Sequence, residues 1–139
     1  MGSERLLDPF IAAADRALRA IGAPAHASRP YPGVSVPSVA QPAAATLDDA
    51  QRRESAALMR VNHAGEVAAQ ALYHGQALVA RSPATRELLL KAAHEEADHL
   101  GWCEQRLREL GPGPSLLNPL WYAGSFAVGA VTSERRGVV

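Results

Sequence analysis

Two glutamates and a histidine are spaced for metal ligation. Steps of four and three along the proline-free run after Pro83 pick out Leu89, Ala93, Glu96, Leu100, Cys103, Leu107 and Leu110, an apolar stripe interrupted only by Glu96. His99 follows Glu96 by three residues and shares its face. A carboxylate on such a stripe is costly unless it is charge-paired, hydrogen-bonded or bound to a metal. Glu96-x-x-His99 therefore offers one oxygen and one imidazole nitrogen, the spacing with which helical bundles hold metals. A second stripe, Met59, Asn62, Glu66, Ala69, Tyr73 and Ala80, also carries a carboxylate. Between the two runs lies Arg81-Ser82-Pro83. If the chain folds back there, Glu66 and Glu96 each sit roughly 21–24 Å from the bend, at the helical rise of about 1.5 Å per residue. Glu66, Glu96 and His99 then share one layer.

Two carboxylates and one imidazole suit non-haem iron or manganese better than structural zinc, which prefers thiolates and imidazoles. A full dinuclear site in a four-helix bundle takes a Glu from each of two helices and a Glu-x-x-His from each of two others. Of the nine glutamates here only Glu96 has a histidine three residues later. The simpler readings are an arginine partner for Glu96 and a hydrogen-bonded core position for His99. His63, one turn before Glu66, is a ligand or a packing and supporting residue, the latter preferred. Asp98 is placed to accept the second N–H of an imidazole, and Tyr73 is a further supporting candidate. Cys103 reads as a small core residue. Glu95, His94 and His74 read as solvated.

The elements that position these groups are helices. Ala and Leu abound and strand-forming residues are few. Asp8-Pro9 reads as the start of an amphipathic helix with Phe10, Ile11, Ala14, Leu18 and Ile21 on one face and Gly22 at its end. That helix packs on a core or lies on a membrane surface. Residues 23–46 hold Pro24, Pro30, Pro32, Pro37 and Pro42 and read as an extended, mobile tether. Thr46-Leu-Asp-Asp49 opens the second helix, in which Gly65 and Gly75 each cost about 1 kcal/mol relative to Ala. A glycine on a buried face also lets a second backbone approach. Ser82 caps a third helix with Pro83 at its first position. Gly111-Pro112-Gly113-Pro114 ends it.

Residues 110–133 contain no charged side chain. A spanning helix needs roughly 20 apolar residues. A start at Pro119 leaves too few before Val131, so a buried or interfacial helix is expected. Trp121, Tyr122 and Phe126 form either a core cluster or an amphiphile-facing patch. The architecture is all-α: an antiparallel hairpin over 47–132, preceded by the amphipathic helix of 1–22, with an apolar helix late in the chain and a polar tail, 133–139.

The chain has 139 residues, with 14 Lys+Arg against 14 Asp+Glu. This balance argues against nucleic-acid binding. A single cysteine excludes a disulfide framework and fits a reducing compartment. The first ten residues carry Glu4 and Asp8 and do not read as a secretory signal.

Four stretches, Leu58-Met-Arg-Val-Asn-His-Ala-Gly-Glu-Val67, Ala71-Leu-Tyr-His-Gly-Gln76, Glu95-Glu-Ala-Asp-His-Leu100 and Ser115-Leu-Leu-Asn-Pro-Leu-Trp121, resemble the bacterial demethoxyubiquinone hydroxylases of ubiquinone biosynthesis. The likeness covers nearly all of residues 4–132 and includes the first helix and the Pro-rich segment. It implies a ferritin-like di-iron monooxygenase, peripheral on the cytoplasmic side of the cell membrane, that hydroxylates demethoxyubiquinol with O₂. By the resemblance Glu66 is a terminal carboxylate ligand, Glu96 the carboxylate that bridges both irons, and His99 the imidazole ligand. Leu116, Leu117, Leu120, Trp121 and Phe126 then face the polyprenylated substrate or the lipid. Members of the family continue with two more bundle helices that bring the second iron's ligands. The chain here reads as lacking that half, or as completing it by pairing two hairpins in a homodimer.

Overall fold

A computed structural model describes residues 3–32 and 47–133, and among them the only regular elements are four helices. They are α1 (Ser3–Gly22), α2 (Asp49–Val79), α3 (Pro83–Leu110) and α4 (Asn118–Ser133). Asp48 caps α2: its carboxylate accepts from Gln51 N at 2.8 Å, and Gln51 Oε1 accepts from Asp48 N at 3.0 Å. This reciprocal pair satisfies two of the amides a helix start leaves free. Ser82 caps α3, and its hydroxyl accepts from Thr85 N. Gly111 ends α3 at φ 106°, a left-handed conformation that favours glycine, and donates to the Leu107 carbonyl at 2.9 Å.

The α2–α3 turn is locked by Arg86, which donates to the carbonyls of Ala77 and Ala80 at 3.2 and 3.0 Å. Those are carbonyls that the end of α2 leaves without partners. Gln70 ties the two helices near mid-length by donating to Ala93 O at 3.1 Å. α4 crosses α2 at two glycines. A Cβ on Gly75 would lie 2.2 Å from Phe126 O, and one on Gly129 2.3 Å from Leu72 O. The two backbones meet because neither position carries a side chain. The core beside this crossing is small: Val67, Ala71, Leu100 and Tyr122, flanked by Ala17, Ala20, Ala25 and Phe126.

Three expectations need correction. α1 begins at Ser3 and carries Pro9 within it, so Asp8 is not its cap. α4 runs for 16 residues rather than from Pro119 to Val131. Residues 23–32 are not a loose tether but a strap along α3. Ala25 N donates to Glu104 Oε2 at 3.1 Å, Ser28 and Arg29 bind Asp98, and Trp102 Nε1 donates to Arg29 O at 3.2 Å. Ala27 rides directly over Gly101, where a Cβ would meet the Ala27 nitrogen at 2.8 Å. Proline prevents this segment from forming a helix but not from docking. The rest of the segment, 33–46, and the tail from 134 lie outside the described residues.

Candidate metal centre

The hairpin brings Glu66, Glu96 and His99 together. One donor atom from each lies within 4.8 Å of the others. His99 Nδ1 donates to Glu96 Oε2 at 3.0 Å and lies 3.6 Å from Glu66 Oε2. The level placement follows from the capped turn, which leaves the helices no freedom to slide. Side-chain exposure is 28% for Glu66, 17% for Glu96 and 41% for His99, so the group is half-buried and reachable from solvent.

Its electrostatics are those of a cation site. Burial, and then the neighbouring Glu96 carboxylate, raise the Glu66 pKa, while His99 opposes the rise. Two close carboxylates repel one another unless a proton or a cation sits between them. Two oxygens and one imidazole nitrogen on rigid helices fit a divalent ion of the iron or manganese type. Cys103 is not one of the donors that meet there. Burial pushes its thiol up to about 11, and the charges of Glu66 and Glu104 add to the rise.

The residues expected to support the group are engaged elsewhere. His63 is buried, but its Nδ1 accepts from Asn118 Nδ2 at 3.1 Å and its Nε2 lies 3.5 Å from Glu104 Oε1. It braces α2 against α4 and α3 instead of reaching the metal side. Asp98 does not serve an imidazole either. Burial pushes its carboxyl up, but hydrogen bonds from the Arg29 side chain, Ser28 and the Arg29 amide outweigh this and hold it down to about 2. Tyr73 is half-buried two turns beyond Glu66, and among the described residues it makes no bond to the trio. His94 and Glu95 face solvent as expected, but His74 does not. It is 8% exposed, its Nδ1 lies 2.8 Å from the Tyr122 hydroxyl, and burial lowers its pKa to about 4.

The sequence reading missed Trp102. Its ring lies 5.3 Å from that of His99, and Arg29 stacks on it at 5.3 Å from the ring centroid. The strap thus reaches His99 through one aromatic side chain. The one available signal was the position of Trp102 a single turn beyond His99.

Of the apolar candidates, Leu116, Leu117, Leu120 and Trp121 are exposed, Leu116 at 97%. Phe126 is half-buried and stacks on Tyr122, with ring centroids 6.3 Å apart. Phe126 and Pro119 face Phe10, Ala14 and Ile21 of α1 across a groove of about 440 Å³. Among the described residues no helix is long and apolar enough to cross a membrane.

A helical hairpin that gathers two carboxylates and an imidazole at one height is a scaffold of the carboxylate–histidine metal-binding kind. The model of the family described as "Ubiquinone biosynthesis protein COQ7" matches residues 53–135, and the chain belongs to that family of ferritin-like helical bundles. It is 59% identical to the 3-demethoxyubiquinol 3-hydroxylase of Ralstonia pickettii, over 93% of this chain and 62% of that protein. It is 58% identical to the proteins of the same name from Bordetella petrii and Variovorax paradoxus, over 91% and 92% of this chain. The chain spans 54% and 58% of those two relatives. No solved structure matches it.

Proposed function

We propose that this chain serves the hydroxylation of 3-demethoxyubiquinol in ubiquinone biosynthesis, as the half of a di-iron monooxygenase that supplies one Glu and one Glu-x-x-His. The observation that carries this reading is the meeting of Glu66, Glu96 and His99 within 4.8 Å on facing helices. Glu66 and Glu96 would hold iron by oxygen and His99 by nitrogen, and iron supplies the capacity to activate O₂. The hairpin fixes the donors in advance, so binding spends little on ordering them. Cys103 is not among the donors that meet there, so the set is two carboxylates and one imidazole.

A second copy of the hairpin would supply a second ligand set. Two hairpins related by a two-fold axis place two Glu and two Glu-x-x-His sets around one core. Leu58, Val61 and Leu88 of α2 and α3, between 62% and 70% exposed, are apolar surface that such a partner would cover. The exposed apolar side chains of α1 and α4 and the groove between them suit a polyprenyl tail and a peripheral seat on the cytoplasmic face of the membrane.

The test is to load the protein with Fe(II) under argon, measure its mass in solution, then add O₂, reductant and 3-demethoxyubiquinol. A dimer with two irons and a product heavier by one oxygen supports the proposal. A dimer that holds iron but leaves the quinol unchanged reduces it to an iron-binding hairpin. A monomer that takes up no iron contradicts it.

A further inference from the structure

A cavity of about 450 Å³ lies between α1, the start of the strap, α2 and α3, and shares no lining residue with the α1–α4 groove. That volume is typical of small-molecule sites. Its polar lining is Arg16, Arg19, His26, Gln70, His74 and His94, and among the described residues no Asp or Glu lines it. Arg19 is engaged, donating to Asp15 at 2.9 Å. Arg16 is different: it is half-buried, and among the described residues it has neither a hydrogen bond nor an ion pair. Its charge is felt nearby: it adds to the lowering that burial imposes on His74 and opposes the rise that burial imposes on Tyr122. A guanidinium withdrawn from water without a carboxylate is poorly compensated. At the wall of the cavity Gln70 is 93% buried; its Nε2 is spent on Ala93 O, and its Oε1, an acceptor without a partner, can meet only a protonated oxygen of a phosphate.

We propose that this cavity binds a phosphate group, with Arg16 as its principal cation and the histidine N–H groups as further donors. Arginine matches phosphate by presenting two parallel N–H groups. The cavity favours a soluble phosphorylated compound over a lipid headgroup. Arg16 lies about 120° around α1 from Phe10, at 3.6 residues per turn. It therefore points away from the apolar face that carries Phe10, Ile11 and Leu18. The site is separate from the metal centre and does not depend on it.

Titration of the full chain with inorganic phosphate, followed by the ring proton signals of the histidines, tests this. The expected result is a saturable shift of His74, with affinity at least tenfold weaker in Arg16→Gln, partly restored in Arg16→Lys and unchanged in Arg53→Gln. Sedimentation with phosphatidylcholine vesicles, with and without phosphatidic acid, separates the sources. Retention that needs both phosphatidic acid and Arg16, without a response to free phosphate, would assign the site to a headgroup and overturn the soluble ligand. No shift of His74 and no Arg16-dependent retention, or equal weakening in Arg53→Gln, would overturn the phosphate site altogether.

Discussion

At the scale of single residues, the group of donors was legible because periodicity and one proline-marked turn were enough to place it. Glu66 and Glu96 interrupt apolar stripes, and a carboxylate on such a stripe calls for a partner. Asp98 and His74 were misread, and the contacts that hold His63 in its packing role were not foreseen, because the partners come from segments far away in the chain. Asn118, Ser28 and Tyr122 carry no local signal that they will arrive there. His74 has a consequence that can be measured. Its folded pKa of about 4 lies below its ordinary 6.5, so it contributes full stability above pH 6.5. That contribution is lost as pH falls from 6.5 to 4, and is at most about 3 kcal/mol. Unfolding by urea across this range should show His74→Leu less stable at pH 7.5 but less sensitive to acid than the parent. Parallel pH dependences would mean that His74 is not held neutral in the folded state.

At the scale of elements, helices α2 and α3 were readable from the acidic start at Thr46-Leu-Asp-Asp49, from the cap Ser82 and from the break at Gly111, while the choice of Asp48 as the cap of α2 came from the structure. The docking of the strap was not, because proline content reports what a segment cannot form and says nothing of what it rests on. Asp98 is the clasp: Ser28 donates to it through both its amide and its hydroxyl, and Arg29 adds its amide and side chain. Asp98→Ala should speed amide hydrogen exchange at Ser28 and Arg29 while the middle of α2 stays protected. Unchanged exchange at Ser28 would show that the strap is held by something else. The glycines give a paired contrast. Gly75→Ala drives a methyl into the α4 backbone and should cost on the order of 2 kcal/mol or more. Gly65→Ala meets nothing within 4 Å and should gain about 0.5–1 kcal/mol, as alanine does in a helix interior. Thermal melts of the two variants should move in opposite directions, and equal shifts would put the α2–α4 crossing in the wrong place.

At the scale of the whole molecule, the buried side chains are mostly small and many of the large apolar ones lie outside. Leu7, Phe10, Ile11, Leu18, Leu116, Leu120 and Trp121 are between 49% and 97% exposed. Apolar side chains exposed on this scale suit cover by a partner or a membrane. Phe10→Glu with Leu120→Glu should abolish co-sedimentation with phosphatidylcholine vesicles and leave the helical content intact. Undiminished co-sedimentation, or none by the parent, would contradict the proposed membrane seat on this face. The fold class followed from composition and periodicity, whereas no pattern within one chain announces which of its faces another body covers.

The central claim is that one face of the hairpin, and not merely an acidic surface, holds the metal. Calorimetric titration of Fe(II) under argon into the parent, Glu96→Ala and Glu95→Ala compares two neighbouring carboxylates that differ only in direction. Stoichiometric binding is expected of the parent and of Glu95→Ala, and none of Glu96→Ala. Equal loss in both variants, or no binding by any, would contradict that claim.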